Sequence, residues 1–343
     1  MLQYVLTEPG RIAVKETAIP EPSGTQVLIR IRYVGICGSD IHLYRGTYNG
    51  PHSYPMLFGH EWSGVVEKAG DGVRGFVPGD VVTGDCSRFC GTCEACETDA
   101  NLCAHIEKFG ITVDGATAEY ILRDEKYLYK APQGMEQELL CLSEPVAVAA
   151  HLLRRVRKCL DGDLREKRIL VLGGGVIGMS AVMLLRNMHG CVQIDLFDLA
   201  NSRKQIAAAV GAHIPSPEEL KPPAGADYAS LYAAAKYDIV IETTGVASVF
   251  ANALYYVKPG GILGCLGMIA KAEIAQKLIV TKGLTLIGSI GGTGDFQEAM
   301  EVLLTHPETA RKLISHYYPM SQAPEAFSVA GNPEGTMKVV LTL

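Results

Sequence analysis

Positive charge is not in excess in this 343-residue chain: 31 lysines and arginines face 37 aspartates and glutamates, for a net charge of −6. Neither nucleic acid nor an anionic membrane is therefore an expected partner. Long hydrophobic runs are missing as well. The longest uncharged stretch, Ile169–Leu185, carries four glycines and is short for a membrane span. It reads instead as a buried strand, a turn and a helix. The N-terminus has no basic region followed by an apolar core, so no secretory leader is expected. Internal repeats and low-complexity segments are absent. Tryptophan occurs once, as Trp62. The cysteines lack the pattern of a disulfide framework: of ten, six are scattered outside one tight cluster. That usage fits a reducing compartment, and the cytoplasm is the expected location.

What remains is an ordinary globular composition, 48% apolar and 20% charged, with 37 glycines, in a chain long enough for two domains. The first 150 residues read as short strands and turns, with strands over Gln26–Tyr33, Gly64–Lys68 and Asp80–Thr83. From Arg168 the rhythm changes. Apolar strands at Ile169–Leu172, Val192–Phe197, Tyr237–Glu242, Ile262–Leu266 and Thr285–Ser289, with a weaker sixth near Ala212, alternate with helical stretches such as Met179–Met188 and Arg203–Val210. This alternation predicts an α/β domain with a six-stranded, doubly wound parallel sheet. Ser216–Ala226, rich in proline and glutamate, reads as a surface loop. Phe296–Leu343 holds a helix, a proline-marked turn and a last strand.

The cluster is Cys90, Cys93, Cys96 and Cys103, in C-G-T-C-E-A-C-E-T-D-A-N-L-C. Two C-x2-C steps and a fourth cysteine in one short loop can converge four thiolates on one ion. A disulfide cluster is the alternative. Four thiolates without histidine describe a closed, structural zinc site.

Strand Ile169–Leu172 runs directly into G-G-G-V-I-G, which places Gly173, Gly175 and Gly178 in G-x-G-x-x-G register, with Val176 and Ile177 opening the helix. A strand before and a helix after are the context in which this motif cradles a dinucleotide pyrophosphate. The second strand ends at Asp198. A carboxylate there accepts hydrogen bonds from ribose hydroxyls and repels a 2′-phosphate, which favours NAD. Arg203, near the adenine end, keeps NADP open. Asp195 lies mid-strand and is the lesser choice.

Hydride leaves a carbon far more readily from an alkoxide, and zinc acidifies an alcohol oxygen. A cysteine, a histidine and a carboxylate would hold such an ion. Candidates are Cys37 in V-G-I-C-G-S-D-I-H, His60 and Glu61 in G-H-E-W-S-G, and Glu144 in S-E-P-V-A. Singly, each has a duller reading, a buried thiol or a hydrogen-bonded core histidine; His105 and His151 are read as core histidines.

Taken together, C-G-S-D-x-H, G-H-E, the four-cysteine loop, E-P, G-G-G-V-I-G, the acidic strand end and K-P-G-G at Lys258–Gly261 resemble the zinc-dependent medium-chain dehydrogenases. The resemblance spans nearly the whole chain and keeps the order of motifs. It implies a GroES-like β-rich catalytic domain over residues 1–150 carrying both zinc sites. A Rossmann domain over 151–292 and a return to the catalytic domain over 293–343 would follow. It implies that Cys37, His60 and Glu144 ligate a catalytic zinc. Glu61 would be a fourth ligand or exchange with water and substrate. Ser39 and His42 would relay the alcohol proton, with Asp40 orienting a ligand. Thr243, Gly245, Leu266, Gly267, Ser289 and Ile290 would hold ribose and nicotinamide, and Lys338 would approach the cofactor phosphates. A homodimer or homotetramer, paired edge to edge through the nucleotide domains, is also implied. Two features depart from the family. Six residues, not seven, separate Cys96 from Cys103, and Glu144 stands where the simple-alcohol branch has cysteine.

Glutamate at that position is similar to the polyol and threonine dehydrogenase branches. A hard, labile carboxylate suits a substrate that chelates through two oxygens, or oxygen and nitrogen. The loop L-Y-R-G-T-Y-N-G-P-H-S-Y-P offers Tyr44, Arg45, Tyr48, Asn49, His52 and Tyr54. These side chains suit a polyhydroxylated substrate, and a solvated surface loop equally. The same run resembles 2-deoxy-scyllo-inosamine dehydrogenases, and sorbitol and galactitol-1-phosphate dehydrogenases nearly as well. The expected activity is therefore NAD-dependent interconversion of a secondary alcohol and ketone in a polyol, cyclitol or amino alcohol. The alternatives are threonine 3-dehydrogenase-like oxidation and a non-catalytic nucleotide-binding relative.

Overall fold

Strand Gln26–Gly35 organises the N-terminal part of the molecule. Its apolar residues Val27, Ile29 and Ile31 are buried, and it pairs antiparallel with Glu61–Ala69, Tyr120–Asp124 and Lys338–Thr342. The computed structural model describes residues 1–222 and 227–343, less the side chains of Ser230 and Leu231. The strand runs beyond the expected Tyr33 to Gly35, which brings Gly35 into register with Glu61 on one side and Val340 on the other. Val81–Gly84 and Leu128–Lys130 extend the sheet on the Glu61–Ala69 side, and Ile314–Pro319 extends it beyond Lys338–Thr342. Trp62, Phe58, Leu6 and Leu43 fill the core beneath, each no more than 1% exposed. Burying such side chains supplies roughly 1.5–3 kcal/mol apiece.

The chain divides into two compact units: Met1–Ala147 with Gly291–Leu343, and Val148–Ile290. The second is a parallel sheet in the order Ile194–Phe197, Ile169–Leu172, Tyr237–Glu242, Val257–Cys265, Thr285–Gly288. All four residues of Ile169–Leu172 are buried, as expected of a central parallel strand. Helices Val176–Asn187, Asn201–Ala209 and Ala247–Tyr256 connect the strands.

The expected sixth strand near Ala212 reduces to one bridge, Asp195 to His213. Pro215 and Pro217 follow it and lack the N–H that would continue the ladder. Within the expected loop Ser216–Ala226, Pro217–Leu220 forms a 3-10 turn capped by Ser216, and 223–226 lie outside the described residues. No helix among the described residues is long and apolar enough to cross a membrane.

Candidate functional site

The four-cysteine loop closes despite its short final gap. Glu94–Thr98 forms a helical turn, and Ala100–Leu102 a 3-10 turn whose cap, Asp99, accepts from Asn101 N at 3.0 Å. The turn delivers Cys103 to the other three. The sulfurs lie 3.5 Å (Cys90–Cys103 and Cys93–Cys96) and 3.9 Å (Cys90–Cys96 and Cys93–Cys103) apart. Four sulfurs around one zinc, each about 2.3 Å from it, make a tetrahedron with edges of about 3.8 Å. The donor set therefore fits the ion. Backbone N–H groups point inward, Thr92 N to Cys90 at 3.4 Å and His105 N to Cys103 at 3.3 Å. The Thr92 N–H and hydroxyl hold Cys90 down at about 5, so a metal ion would meet a thiolate there. His105, read as a core histidine, is exposed because it sits in this surface loop. His151 is fully buried against Arg154.

A second cluster forms around Asp40. Cys37 caps helix Gly38–Arg45, and its N–H donates to Asp40 Oδ2 at 2.9 Å. Asp40 Oδ1 accepts from Gly59 N at 3.2 Å and lies 3.9 Å from His60 Nδ1. One buried carboxylate thus ties the Cys37 turn to the His60 turn. Ligand atoms of Cys37, His60 and Glu61 lie within 4.8 Å of one another, and so do those of His60, Cys86 and Glu144. His60 belongs to both sets, whereas Cys37 and Glu144 fall in different ones. Glu144 lies in the first turn of helix Ser143–Cys159, where the helix dipole favours an anion. Burial nevertheless pushes its carboxyl up to about 7. Burial alone would lower the His60 pKa, but Cys86, Asp40 and Cys37 outweigh it and raise that pKa well above its ordinary value. Nitrogen, sulfur and oxygen donors in two sets that share His60 fit a zinc ion, with Cys37, His60, Glu144 and Glu61 as expected members.

Sequence spacing missed Cys86. It follows strand Val81–Gly84 by two positions and reads as one of the scattered cysteines. Its only signal was its place four residues ahead of the cysteine loop.

Lys338, expected at the cofactor phosphates, is buried. Its ammonium donates to Ile36 O at 3.0 Å and pairs with Glu61 Oε2 at 2.5 Å. Gly35 makes room for that pair: a Cβ there would sit 2.5 Å from Glu61 Oε2. Ser39 and His42 stand one turn apart on helix Gly38–Arg45. His42 is exposed, with Nδ1 2.9 Å from Thr47 Oγ1. Tyr44 of the same helix stacks on Phe327 at 4.3 Å, and in the loop that follows Tyr48, His52 and Tyr54 meet edge to face.

In the parallel sheet the glycine turn has the shape its motif requires. Gly173 adopts φ 102°, and a Cβ at Gly178 would lie 1.9 Å from Gly173 O. A Cβ at Gly175 would meet nothing within 4 Å. That open face lies ahead of helix Val176–Asn187, whose cap supplies no side-chain acceptor. The first N–H groups, of Val176 and Ile177 among others, are thus left for an anion. Asp198 Oδ2 accepts from Gly174 N at 2.7 Å, Oδ1 accepts from Ala200 N at 2.8 Å, and Arg203 Nη1 lies 3.8 Å from Oδ2. Asp195 is instead a structural partner of Arg168 and Tyr237, at 3.0 and 2.6 Å.

Thr243 Oγ1 donates to Leu172 O at 2.9 Å, and Gly245 adopts φ 69°. Leu266 and Gly267 donate to Glu242 O at 2.9 and 3.2 Å, and Ser289 N to Cys265 O at 3.1 Å. Ile290 is 43% exposed. Glu242, which sequence reasoning passed over, is fully buried and accepts from Thr244 N at 2.6 Å and Gly245 N at 3.1 Å. It shapes the turn that carries Thr243 and Gly245.

The model of the alcohol dehydrogenase GroES-like domain matches residues 23–133, and that of the zinc-binding dehydrogenases matches residues 176–305. A sorbitol dehydrogenase of Halalkalibacterium halodurans is 31% identical over 340 residues, covering 97% of this chain and 96% of that protein. An alcohol dehydrogenase (rspB) from Escherichia coli CFT073, solved with NADH, has a TM-score of 0.88 at 25% identity over 100% of this chain and 99% of that one. A zinc-binding dehydrogenase from Sinorhizobium meliloti 1021, bound to NADP, has a TM-score of 0.86 at 30% identity, again over 100% and 99%.

Proposed function

The chain belongs to the zinc-type medium-chain alcohol dehydrogenase family, and from that premise we propose that it interconverts a secondary alcohol and a ketone in a polyol, cyclitol or amino alcohol, with NAD as hydride acceptor. The observation that carries the reading is the pair of donor sets sharing His60, buried except for the half-buried Cys37. Cys37, His60 and Glu144 would hold the catalytic zinc, and Cys90, Cys93, Cys96 and Cys103 a structural one. When bound, zinc polarises the substrate oxygen and lowers its pKa. The chain's own residues do the rest. Ser39 takes the hydroxyl proton and passes it to His42, one turn along the same helix and open to solvent. Asp40 holds the Cys37 and His60 turns in register. Val176, Ile177 and the glycine turn bind the pyrophosphate, and Asp198 takes the ribose hydroxyls, which favours NAD over NADP. Thr243, Gly245, Leu266, Gly267, Ser289 and Ile290 follow strand ends and line the remainder of the cofactor.

The polyol reading rests on Glu144 and on the sorbitol dehydrogenase relative. Polyols, cyclitols, threonine and phosphorylated sugar alcohols, each offered with NAD and with NADP, test it through the absorbance of the reduced cofactor. Turnover of simple alcohols alone would overturn it, as would a Glu144→Cys variant with unchanged preference for diols. Turnover of threonine alone would establish the amino-alcohol reading. NADH binding without zinc in the purified protein would point to a non-catalytic relative.

A further inference from the structure

We propose that Cys86 is a second thiolate of the catalytic metal centre. In the substrate-free protein it would join Cys37, His60 and Glu144 in a set of four donors. The inference rests on the metal centre proposed above and goes beyond its expected ligands.

Three observations carry it. Cys86 Sγ lies within 4.8 Å of the donor atoms of both His60 and Glu144, in a cluster where the three residues are 6%, 4% and 6% exposed. Cys37 shares no such set with Glu144, so the expected trio is joined only through His60. Cys86 stands on the Glu144 side and supplies the sulfur missing there. Secondly, among the described residues the thiol's hydrogen bonding in the fold is a long 3.8 Å approach to Phe109 O. Thirdly, its backbone is pinned on both sides. Asp85 N donates to Tyr127 O at 2.9 Å, Cys86 O accepts from Phe109 N at 2.9 Å, and Ser87 N donates to Asp85 Oδ1 at 2.8 Å. A thiol held this firmly beside a histidine and a carboxylate is a preformed donor.

Glu61 Oε2 is paired with the Lys338 ammonium at 2.5 Å, and Glu61 groups with Cys37 and His60 rather than with Cys86 and Glu144. The resulting set, two sulfurs with one nitrogen and one oxygen, is softer than the expected trio and selects zinc over magnesium or manganese. Binding converts the Cys86 thiol to thiolate and releases one proton to solvent. An incoming substrate hydroxyl would then have to displace one of the four donors.

Cobalt loading of the whole protein tests the assignment, because thiolate-to-cobalt absorption in the near ultraviolet grows with the number of sulfurs bound. Wild type, with the four-cysteine loop, Cys37 and Cys86, should show six thiolates. Cys86→Ser and Cys37→Ser should each lose one equal step, and the double variant two. Cys86→Ala repeats the measurement with a different side chain, and the loop's own contribution reports that each variant is folded. Zinc should also leave Cys86→Ser for a chelator about tenfold faster or more. A full-intensity band in Cys86→Ser beside a one-step loss in Cys37→Ser would overturn the role of Cys86 and leave the centre standing. No loss in either variant would overturn the centre itself.

Discussion

Replacing Gly175 by alanine should separate cofactor binding from folding. The residue has φ −72° and ψ −178°, extended backbone that any residue adopts, and a Cβ there meets nothing within 4 Å. The fold should therefore lose or gain no more than about 0.5–1 kcal/mol. The methyl group would, however, stand ahead of the free N–H groups of helix Val176–Asn187. A phosphate oxygen must come to about 2.9 Å to accept from them, whereas a methyl carbon keeps neighbouring atoms near 3.5–4 Å. Losing two charge-assisted hydrogen bonds at about 1.5–3 kcal/mol each weakens NADH binding by about 3 kcal/mol or more, roughly 100-fold. Gly178→Ala is the contrast. Its Cβ would lie 1.9 Å from Gly173 O, a backbone atom that cannot swing aside. That variant should lose about 3 kcal/mol or more of stability along with binding. Fluorescence titration of NADH and thermal denaturation without cofactor read the two effects. If Gly175→Ala binds NADH within about threefold of wild type, under 1 kcal/mol, the pyrophosphate does not lie on this turn.

Cys103→Ser should remove one zinc per chain, by metal analysis, while NADH still titrates the glycine turn. Gly35→Ala places a Cβ 2.5 Å from Glu61 Oε2 and 3.2 Å from Lys338 Cδ. Denaturant unfolding should show a loss of about 2–4 kcal/mol from disturbing a buried ion pair, and a smaller loss in a Glu61→Ala, Lys338→Met background. Burial, helped by Arg157, holds His189 down at about 4. Between that value and the ordinary 6.5 the unfolded chain binds the extra proton, so stability falls as pH drops through the window. Unfolding at pH 7 and pH 4.5 should show a loss of about 1–3 kcal/mol at the lower pH. His189→Gln should flatten it.

Local pattern was enough wherever one segment carried the whole signal. Ile169–Leu172 and Tyr237–Glu242 have the expected ends because the apolar runs Ile169–Leu172 and Ile239–Ile241 are soon followed by glycine or threonine turns. The four cysteines and the glycine turn were legible for the same reason: each is complete within a short loop. Cys86 and the Glu61–Lys338 pair were not, since their partners come from distant segments of the chain; Glu242 binds the turn two and three residues on, but nothing in its spacing marks it as buried. Lys338 reaches Glu61 only because strand Gln26–Gly35 pairs with both of their strands, which no spacing along the chain records. The missing sixth strand follows from two prolines that the apolar pattern near Ala212 does not weigh.

The sulfur cluster also sets how the protein ages. Cys90 is held as a thiolate at about 5, near the surface and 3.5 Å from Cys103 Sγ. Thiolates are the forms that peroxide attacks, and a neighbouring thiol then closes a disulfide. A bound ion would occupy every sulfur and block that route, so the cluster's chemical lifetime would follow zinc supply. A chain that loses the ion under oxidising conditions would be locked by its own cross-link, and only a reductant would let metal return.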